Sequence, residues 1–186
     1  MKGKLICFIG VIGSGKTYQC SLKEKMGNCV KHDFADSLRS LASFSLGVNV
    51  VEDYDLFKES LITKNFNNYE AITGRQYLQN LAQGLKKVTH NPAIFGEMWV
   101  SGVKESLDTG VNVVCADMRF KEEYLIAKQL GAVFVFCNYI SSRYDSNSEA
   151  NNHVSEAFAR KVLQSNLWQD GEVIETAYLD ELIKEL

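Results

Sequence analysis

Eight consecutive residues, Gly10–Thr17, have the residue types and the spacing of a phosphate-binding loop, Gly-x-x-x-x-Gly-Lys-Thr. Glycines let such a loop approach phosphate oxygens without a Cβ clash, and the start of a following helix offers unpaired N–H groups and a positive dipole end. Lys16 can reach the β- and γ-phosphates, and the Thr17 hydroxyl can bind Mg²⁺. We expect nucleotide binding through Val11, Ile12, Gly13, Ser14, Gly15, Lys16 and Thr17.

A second candidate group follows another apolar run. Residues 111–116 read as a buried strand, and Asp117-Met118-Arg119 comes directly after it. An acid in this position is the Walker B arrangement, which can hold a magnesium-bound water. Arg119 would point into the same crevice, and planar guanidinium groups suit phosphates.

These residues need a scaffold in which strands and helices alternate. The P-loop lies between the apolar run Leu5–Ile9 and a potential helix over residues 17–26, as its chemistry requires. The alternation continues along the chain and predicts one three-layer α/β domain over residues 1–186 with a parallel sheet. The predicted strands are Leu5–Ile9, 29–32, 111–116, 132–137 and 172–176.

Helix boundaries and buried faces can also be predicted. Asp36 can cap the helix that follows the second strand, and Thr73 with Gln76 forms a capping box. In the next helices the 3,4 spacing of apolar residues indicates buried faces, one of which includes Met98 and Trp99. Arg75 and Gln79 lie on a polar face, which suits a phosphate and a base edge if it lines a cleft and is otherwise simply solvated.

Two less regular segments could close over a ligand. The first, at about 45–72, is a candidate arm for the acceptor, although a surface excursion explains it equally well. The second, at about 138–152, is polar, loop-like and long for a compact domain, which is typical of a lid. Its single arginine, Arg143, could contact a transferring phosphoryl group.

Composition excludes several classes of protein. The 186 residues are 46% hydrophobic, which suffices for a hydrophobic core. The net charge of −3 does not indicate a surface that binds nucleic acid. The five cysteines form no metal-binding spacing and read as reduced thiols of a cytoplasmic protein. No apolar run approaches the 18 residues of a membrane span.

The reaction class can be narrowed by what is missing. The sequence has no N-K-x-D guanine signature, and Asp117 is followed by Met118 rather than by a glutamate that could activate water. A chain of 186 residues is also too short for a helicase or recombinase core. These absences favour a small kinase. Such an enzyme must exclude water from the transferring phosphoryl group.

Five stretches in order carry a family resemblance. The chain resembles the bacteriophage deoxynucleoside monophosphate kinases, within the nucleoside monophosphate kinase superfamily. The matching stretches are Gly10–Thr17, Phe34–Arg39 (similar to F-A-D-P-L-K), Thr73–Gln79 (similar to T-G-R-x-x-L-Q), Asp117–Phe120 (similar to D-V-R-F) and, more weakly, His153–Glu156 (similar to H-x-S-E). Ser37 replaces the usual proline, and Arg39 replaces a lysine, which keeps the charge and changes its geometry.

The resemblance implies a P-loop NTPase fold with strand order 2-3-1-4-5, an arm that binds the nucleoside monophosphate, and a lid. It implies transfer of the γ-phosphoryl of ATP to a deoxynucleoside monophosphate, with Mg²⁺ held by Thr17 and, through water, by Asp117. The implied catalytic residues are Lys16, Asp117, Arg119 and Arg143, and the implied acceptor-binding residues are Asp36, Arg39, Arg75, Gln79 and Arg119.

Two other functions stay open. One is a kinase for another small metabolite or coenzyme precursor; if its acceptor were an alcohol, Asp33 or Asp36 could act as the base. The other is a protein that binds ATP without catalysis. In each case the expected partners are small molecules rather than nucleic acid or membrane. The expected protein is a monomer or homodimer of the cytoplasm, the host's if the protein is viral.

Overall fold

The computed structural model describes residues 2–27, 29–62, 71–138 and 157–184. In chain order the elements are β1 (Leu5–Ile9), α1 (Lys16–Lys25), β2 (Cys29–Lys31), α2 (Asp36–Leu46), α3 (Tyr54–Glu59), β3 (Leu61–Ile62), β4 (Ile72–Thr73), α4 (Gly74–Thr89), α5 (Ile94–Asp108), β5 (Asn112–Cys115), α6 (Lys121–Gln129), β6 (Val133–Phe136), α7 (Ala157–Gln164), β7 (Val173–Ile174) and α8 (Thr176–Lys184). They form two compact units, one from residues 1–34 and 99–186 and the other from residues 35–98.

A mostly parallel five-stranded sheet, ordered β2-β5-β1-β6-β7, is the framework of the first unit. β1 pairs in parallel with β5 on one side and with β6 on the other. Because a central parallel strand is covered on both faces, its sequence is apolar throughout. In β1, Cys7 and Ile9 face one hydrophobic cluster and Phe8 faces the other. The predicted α/β class is therefore confirmed, and four of the five strands have the predicted parallel arrangement.

The last strand departs from the expectation of a wholly parallel sheet. β7 pairs antiparallel with β6, in the register Phe134↔Ile174. The physical reason is the point at which the chain enters the sheet: Gly171 N donates to Phe136 O at 2.7 Å, at the carboxyl end of β6. A strand that starts at that end of β6 has to run back along it.

Helices cover both faces of this sheet. α1 packs on one face through Cys20, whereas α5, α6, α7 and α8 contribute to the larger cluster on the other face. Trp99 of α5 stacks on Phe34 with ring centroids 4.0 Å apart, and its Nε1 donates to His32 O at 2.8 Å. Burying an aromatic side chain of this size stabilises a fold by about 1.5–3 kcal/mol.

The second unit has its own small core. Ala42, Val50, Phe57 and Leu78 bring α2, α3 and α4 together. β3 and β4 form a two-stranded antiparallel ladder before α4. The predicted capping box starts α4: Gln76 N donates to Thr73 Oγ1 at 3.2 Å, and Thr73 N donates to Gln76 Oε1 at 2.8 Å.

Two local predictions are wrong. Asp36 does not cap α2, because Ala35 occupies the cap position; Asp36 lies in the first turn and accepts a hydrogen bond from Arg39. Met98 is not on the buried face of α5, since 46% of it is exposed, whereas Trp99, one residue on, is only 4% exposed. Across the ranges that the structure describes, no helix combines the length and apolarity needed to cross a membrane.

Candidate functional site

The P-loop connects the carboxyl end of β1 to the start of α1. Gly13 and Gly15 have φ angles of 81° and 86°, a left-handed conformation that glycine adopts without the steric cost of a Cβ. Ser14 N closes the turn on Val11 O at 3.1 Å. Since the first N–H groups of an α-helix have no intrahelical acceptor, this loop ends on a helix start suited to phosphate oxygens.

The Lys16 side chain lies back across the loop. Its Nζ donates to Gly10 O at 2.5 Å and to Val11 O at 2.8 Å. Its positive charge also acts on the neighbouring Cys137 thiol. Burial and the nearby Asp170 raise the pKa of Cys137 to about 12, whereas the charge of Lys16 acts to lower it. The ammonium group is thus held over the loop rather than extended into solvent.

Close packing fixes the entrance of the loop. Gly10 lies so near the Cys137 carbonyl oxygen and the Ser14 hydroxyl that a Cβ would come within 3.0 Å of each. Ser14 itself is only 1% exposed. Glycine is therefore required at position 10 because a larger residue would not fit. At Gly13 and Gly15, by contrast, it is the φ angle that requires glycine.

Asp117 and Arg119 follow β5, which is the neighbour of β1 in the sheet. Parallel neighbours end at the same edge, so these residues and the P-loop share the carboxyl edge of the first unit. Asp117 Oδ1 accepts from Phe34 N at 2.8 Å. Glu123 holds the turn that follows, because its Oε2 accepts from Arg119 N at 2.7 Å and from Phe120 N at 3.1 Å.

Asp33 is a residue of this edge to which the sequence assigned only an alternative role, that of a base. It follows β2, is 4% exposed, and accepts from Ala116 N at 2.9 Å. Its other oxygen pairs with Lys31 Nζ at 2.7 Å. An acid directly after a strand was visible in the sequence, but its partners became identifiable only once β2 and β5 were known to be neighbours.

The oxygen donors at this edge suit Mg²⁺, which prefers oxygen ligands. The Thr17 hydroxyl is in the exposed first turn of α1, and the Asp117 carboxylate follows β5. Asp33, Cys115 and Asp117 each have one potential ligand atom within 4.8 Å of the others. Burial raises the pKa of the Cys115 thiol well above its ordinary value, and Mg²⁺ prefers oxygen to sulfur, so the carboxylates rather than the thiol suit this ion.

The predicted acceptor-binding residues, apart from Arg119, belong to the second unit. Arg39 Nη1 donates to Asp36 Oδ1 at 2.7 Å, and its guanidinium carbon lies 4.5 Å from the centroid of the Tyr54 ring. This stacking and ion pair fix the direction of the arginine fork.

α4 carries the remaining acceptor candidates. Arg75 Nη2 lies 3.2 Å from Glu59 Oε1, and both side chains are well exposed. Gln79, one turn further along the helix, is exposed as well. These two residues are thus available to solvent on one helix face.

Several candidates lie outside the described residues. They are Arg143, almost all of the predicted lid, residues 63–70 of the predicted arm, and the stretch His153–Glu156.

The comparisons with known proteins leave the family open. No family model and no curated protein sequence matches the chain. Among solved structures, an APS kinase of Mycobacterium tuberculosis aligns with a TM-score of 0.31 and 15% identity, over 88% of this chain and 96% of that one. Since function depends on the site rather than on fold likeness, the residues themselves have to support any assignment.

Proposed function

We propose that this protein is a P-loop kinase that transfers the γ-phosphoryl group of ATP to a deoxynucleoside 5′-monophosphate, giving a deoxynucleoside diphosphate and ADP. The observation that carries the proposal is the arrangement of Lys16 over the P-loop carbonyls, with Asp117 and Arg119 at the end of the adjacent strand. That is the set of charges that phosphoryl transfer between phosphates requires.

The reaction exchanges one P–O bond for another. A phosphate oxygen of the acceptor attacks the γ-phosphorus as the bond to the β–γ bridging oxygen breaks, and ADP leaves with that oxygen. No base has to remove a proton, because the attacking oxygen is already anionic. Catalysis therefore consists mainly of alignment and charge stabilisation.

Within this proposal each residue at the carboxyl edge has a distinct task. The amides of residues 13–17 hold the β-phosphate, and Lys16 turns from the loop carbonyls to the β- and γ-phosphates. Thr17 and, through water, Asp117 would hold Mg²⁺, which would offset the negative charge of the phosphates. Arg119 binds the acceptor phosphate, and Arg143 of the proposed lid binds the transferring group.

The acceptor class is inferred from the ordered motifs of the sequence. Arg75 supplies a second cation for the acceptor phosphate, and Gln79 contacts its base or sugar. Arg39 and Asp36 bind the acceptor as a pair; an aromatic ring supports the arginine, and the carboxylate lies 2.7 Å from it. Two guanidinium forks suit two phosphate groups that would otherwise repel each other.

The site favours a phosphate acceptor over an alcohol. An alcohol kinase needs a base near the acceptor hydroxyl, and Asp33 is a poor one because it is buried and committed to Ala116 N and Lys31. Asp36 is paired with Arg39. The protein is proposed to act in the cytoplasm, the host's if it is viral, as a monomer or homodimer.

The test is ADP release from Mg·ATP by purified protein. Each deoxynucleoside and ribonucleoside monophosphate is added in turn, together with a panel of small alcohols and coenzyme precursors. We expect a subset of deoxynucleoside monophosphates to stimulate release. Stimulation only by an alcohol would establish a different kinase. Confirmed ATP binding with no stimulation by any acceptor would contradict the proposed reaction and favour a non-catalytic role.

A further inference from the structure

Two aspartate side chains link the ends of β2 and β5, because each accepts a hydrogen bond from a backbone amide at the end of the other strand. Asp33, after β2, accepts from Ala116 N in the segment that follows β5. Asp117, after β5, accepts from Phe34 N in the segment that follows β2. We call this pair of reciprocal bonds the aspartate clasp. Both bonds have ordinary lengths, 2.9 and 2.8 Å, and each extends the pairing of the two strands beyond the parallel ladder.

The clasp uses a group that is costly to bury. Asp33 is 4% exposed, and a buried carboxylate destabilises a fold unless hydrogen bonds and an opposite charge compensate it. Ala116 N supplies the hydrogen bond, and Lys31 Nζ supplies the charge at 2.7 Å. These partners offset the cost of burying the carboxylate, and the hydrogen bond from Ala116 N is the contact that reaches the segment carrying Asp117.

The clasp also fixes the direction of Asp117. Its Oδ1 is held by Phe34 N at 2.8 Å and lies 3.5 Å from Cys115 Sγ. The backbone that carries Asp117 is held in turn by Asp33 at Ala116, the preceding residue. Anchoring one carboxylate oxygen and the adjacent peptide leaves the side chain little freedom to rotate. A group that must hold a magnesium-bound water benefits from such preorganisation.

We infer that Asp33 is a positioning residue: it acts through Ala116 N to orient Asp117 toward the Mg²⁺ of bound ATP. This inference rests on the proposed function for the identity of the ligand. It differs from the alternative in which Asp33 is a base, because here Asp33 touches neither ATP nor acceptor.

The test uses the full chain and compares Asp33→Ala with Asp33→Asn. Alanine removes the acceptor for Ala116 N, whereas the asparagine amide oxygen can still accept that hydrogen bond. ATP affinity is measured calorimetrically with Mg²⁺ and with EDTA. The ratio of the two dissociation constants is the increase in ATP affinity that Mg²⁺ causes, which we call the Mg²⁺-dependent gain. Exchange of the Phe34 amide hydrogen is followed by NMR in the absence of nucleotide.

For Asp33→Ala we expect the Mg²⁺-dependent gain to fall by about 10-fold or more, as is usual when an outer-shell partner is removed. We also expect the Phe34 amide to exchange faster, although its own acceptor, Asp117, is unchanged. Asp33→Asn should retain most of both properties. Ile174→Ala, at the opposite edge of the sheet, serves as a variant of lowered stability whose gain should stay that of wild type.

The outcomes separate the two claims. If Asp33→Ala keeps the wild-type gain, or loses it only as much as Ile174→Ala does, Asp33 is structural and the inference is wrong. If wild-type protein binds Mg·ATP without transferring phosphate, the proposed reaction fails, while the loss of gain in Asp33→Ala still supports the clasp. If wild-type protein binds no ATP, both are overturned.

Discussion

Gly10→Ala should damage the P-loop through space alone. The φ angle of Gly10 lies outside the left-handed range, so alanine meets no left-handed strain there. The added Cβ would instead come within 3.0 Å of the Cys137 carbonyl oxygen and of the Ser14 hydroxyl. Cys137 N is itself bonded to Ile9 O at 2.8 Å, so the carbonyl side of this contact belongs to a paired strand end. The P-loop is therefore the side that has to move.

The size of the effect follows from two opposing contributions. Overpacking a tight site costs about 1–3 kcal/mol, and replacing glycine stabilises by about 0.4–1 kcal/mol through the unfolded chain. The net loss in the free energy of unfolding is roughly 0–2.6 kcal/mol, and a chain of this size melts about 2–4 °C lower for each kcal/mol lost. Displacing phosphate-binding amides by about 1 Å would cost on the order of 100-fold in turnover.

Gly84→Ala is the matched control. Gly84 lies in α4, and a Cβ there meets nothing within 4 Å. The same substitution should stabilise the protein by about 0.5–1 kcal/mol. Thermal unfolding and calorimetric ATP titration of both variants provide the assay. If Gly10→Ala melts and binds ATP like wild-type protein, the P-loop does not pack against the end of β6 as described, and the steric argument is refuted.

Three further predictions concern single groups. Lys16→Ala should lower turnover at least about 100-fold with circular dichroism unchanged; near-normal turnover would remove Lys16 from the mechanism. Arg119→Ala should raise the acceptor KM and lower kcat together. A change in ATP affinity alone would show that Arg119 binds ATP rather than the acceptor. Lys128 holds the pKa of Asp180 below its ordinary value, so this pair stabilises the fold above about pH 4 and the contribution disappears as pH falls through the lowered pKa. Asp180→Asn should therefore flatten the acid limb of a plot of unfolding midpoint against pH; an unchanged acid limb would show that the pair contributes nothing.

The central strands could be predicted because their burial is recorded in the sequence. β1 and β6 are continuous apolar runs and β5 is apolar after Asn112, and such runs are typical of parallel strands covered on both faces. The direction of β7 could not be predicted, because it depends on where the chain re-enters the sheet after α7. β3 and β4 have two residues each, too few for any periodicity to show.

Local errors have equally local causes. Met98 and Trp99 are neighbours on the rim of one helix face, and the 3,4 spacing cannot say which of the two is turned inward. Asp36 has the residue type of a helix cap, but an ion pair with Arg39 competes for its carboxylate.

The site residues that belong to a sequence motif could be predicted. Those whose contacts depend on which strands are neighbours could not. The P-loop and Asp117 follow from residue type and spacing. Glu123 contacts residues only three and four positions back, whereas the role of Asp33 required knowledge of the neighbouring strand, since Asp33 contacts a residue 83 positions away. A single sequence carries no direct record of such a contact.

The most direct test of the account follows the phosphoryl group itself. Wild-type protein and Lys16→Ala are incubated with Mg²⁺, ATP labelled at the γ-phosphate and one deoxynucleoside monophosphate at a time, and the products are separated by chromatography. We expect label in the deoxynucleoside diphosphate for wild-type protein and almost none for the variant. Label that stays in ATP, or that appears only as inorganic phosphate whichever monophosphate is present, would contradict it.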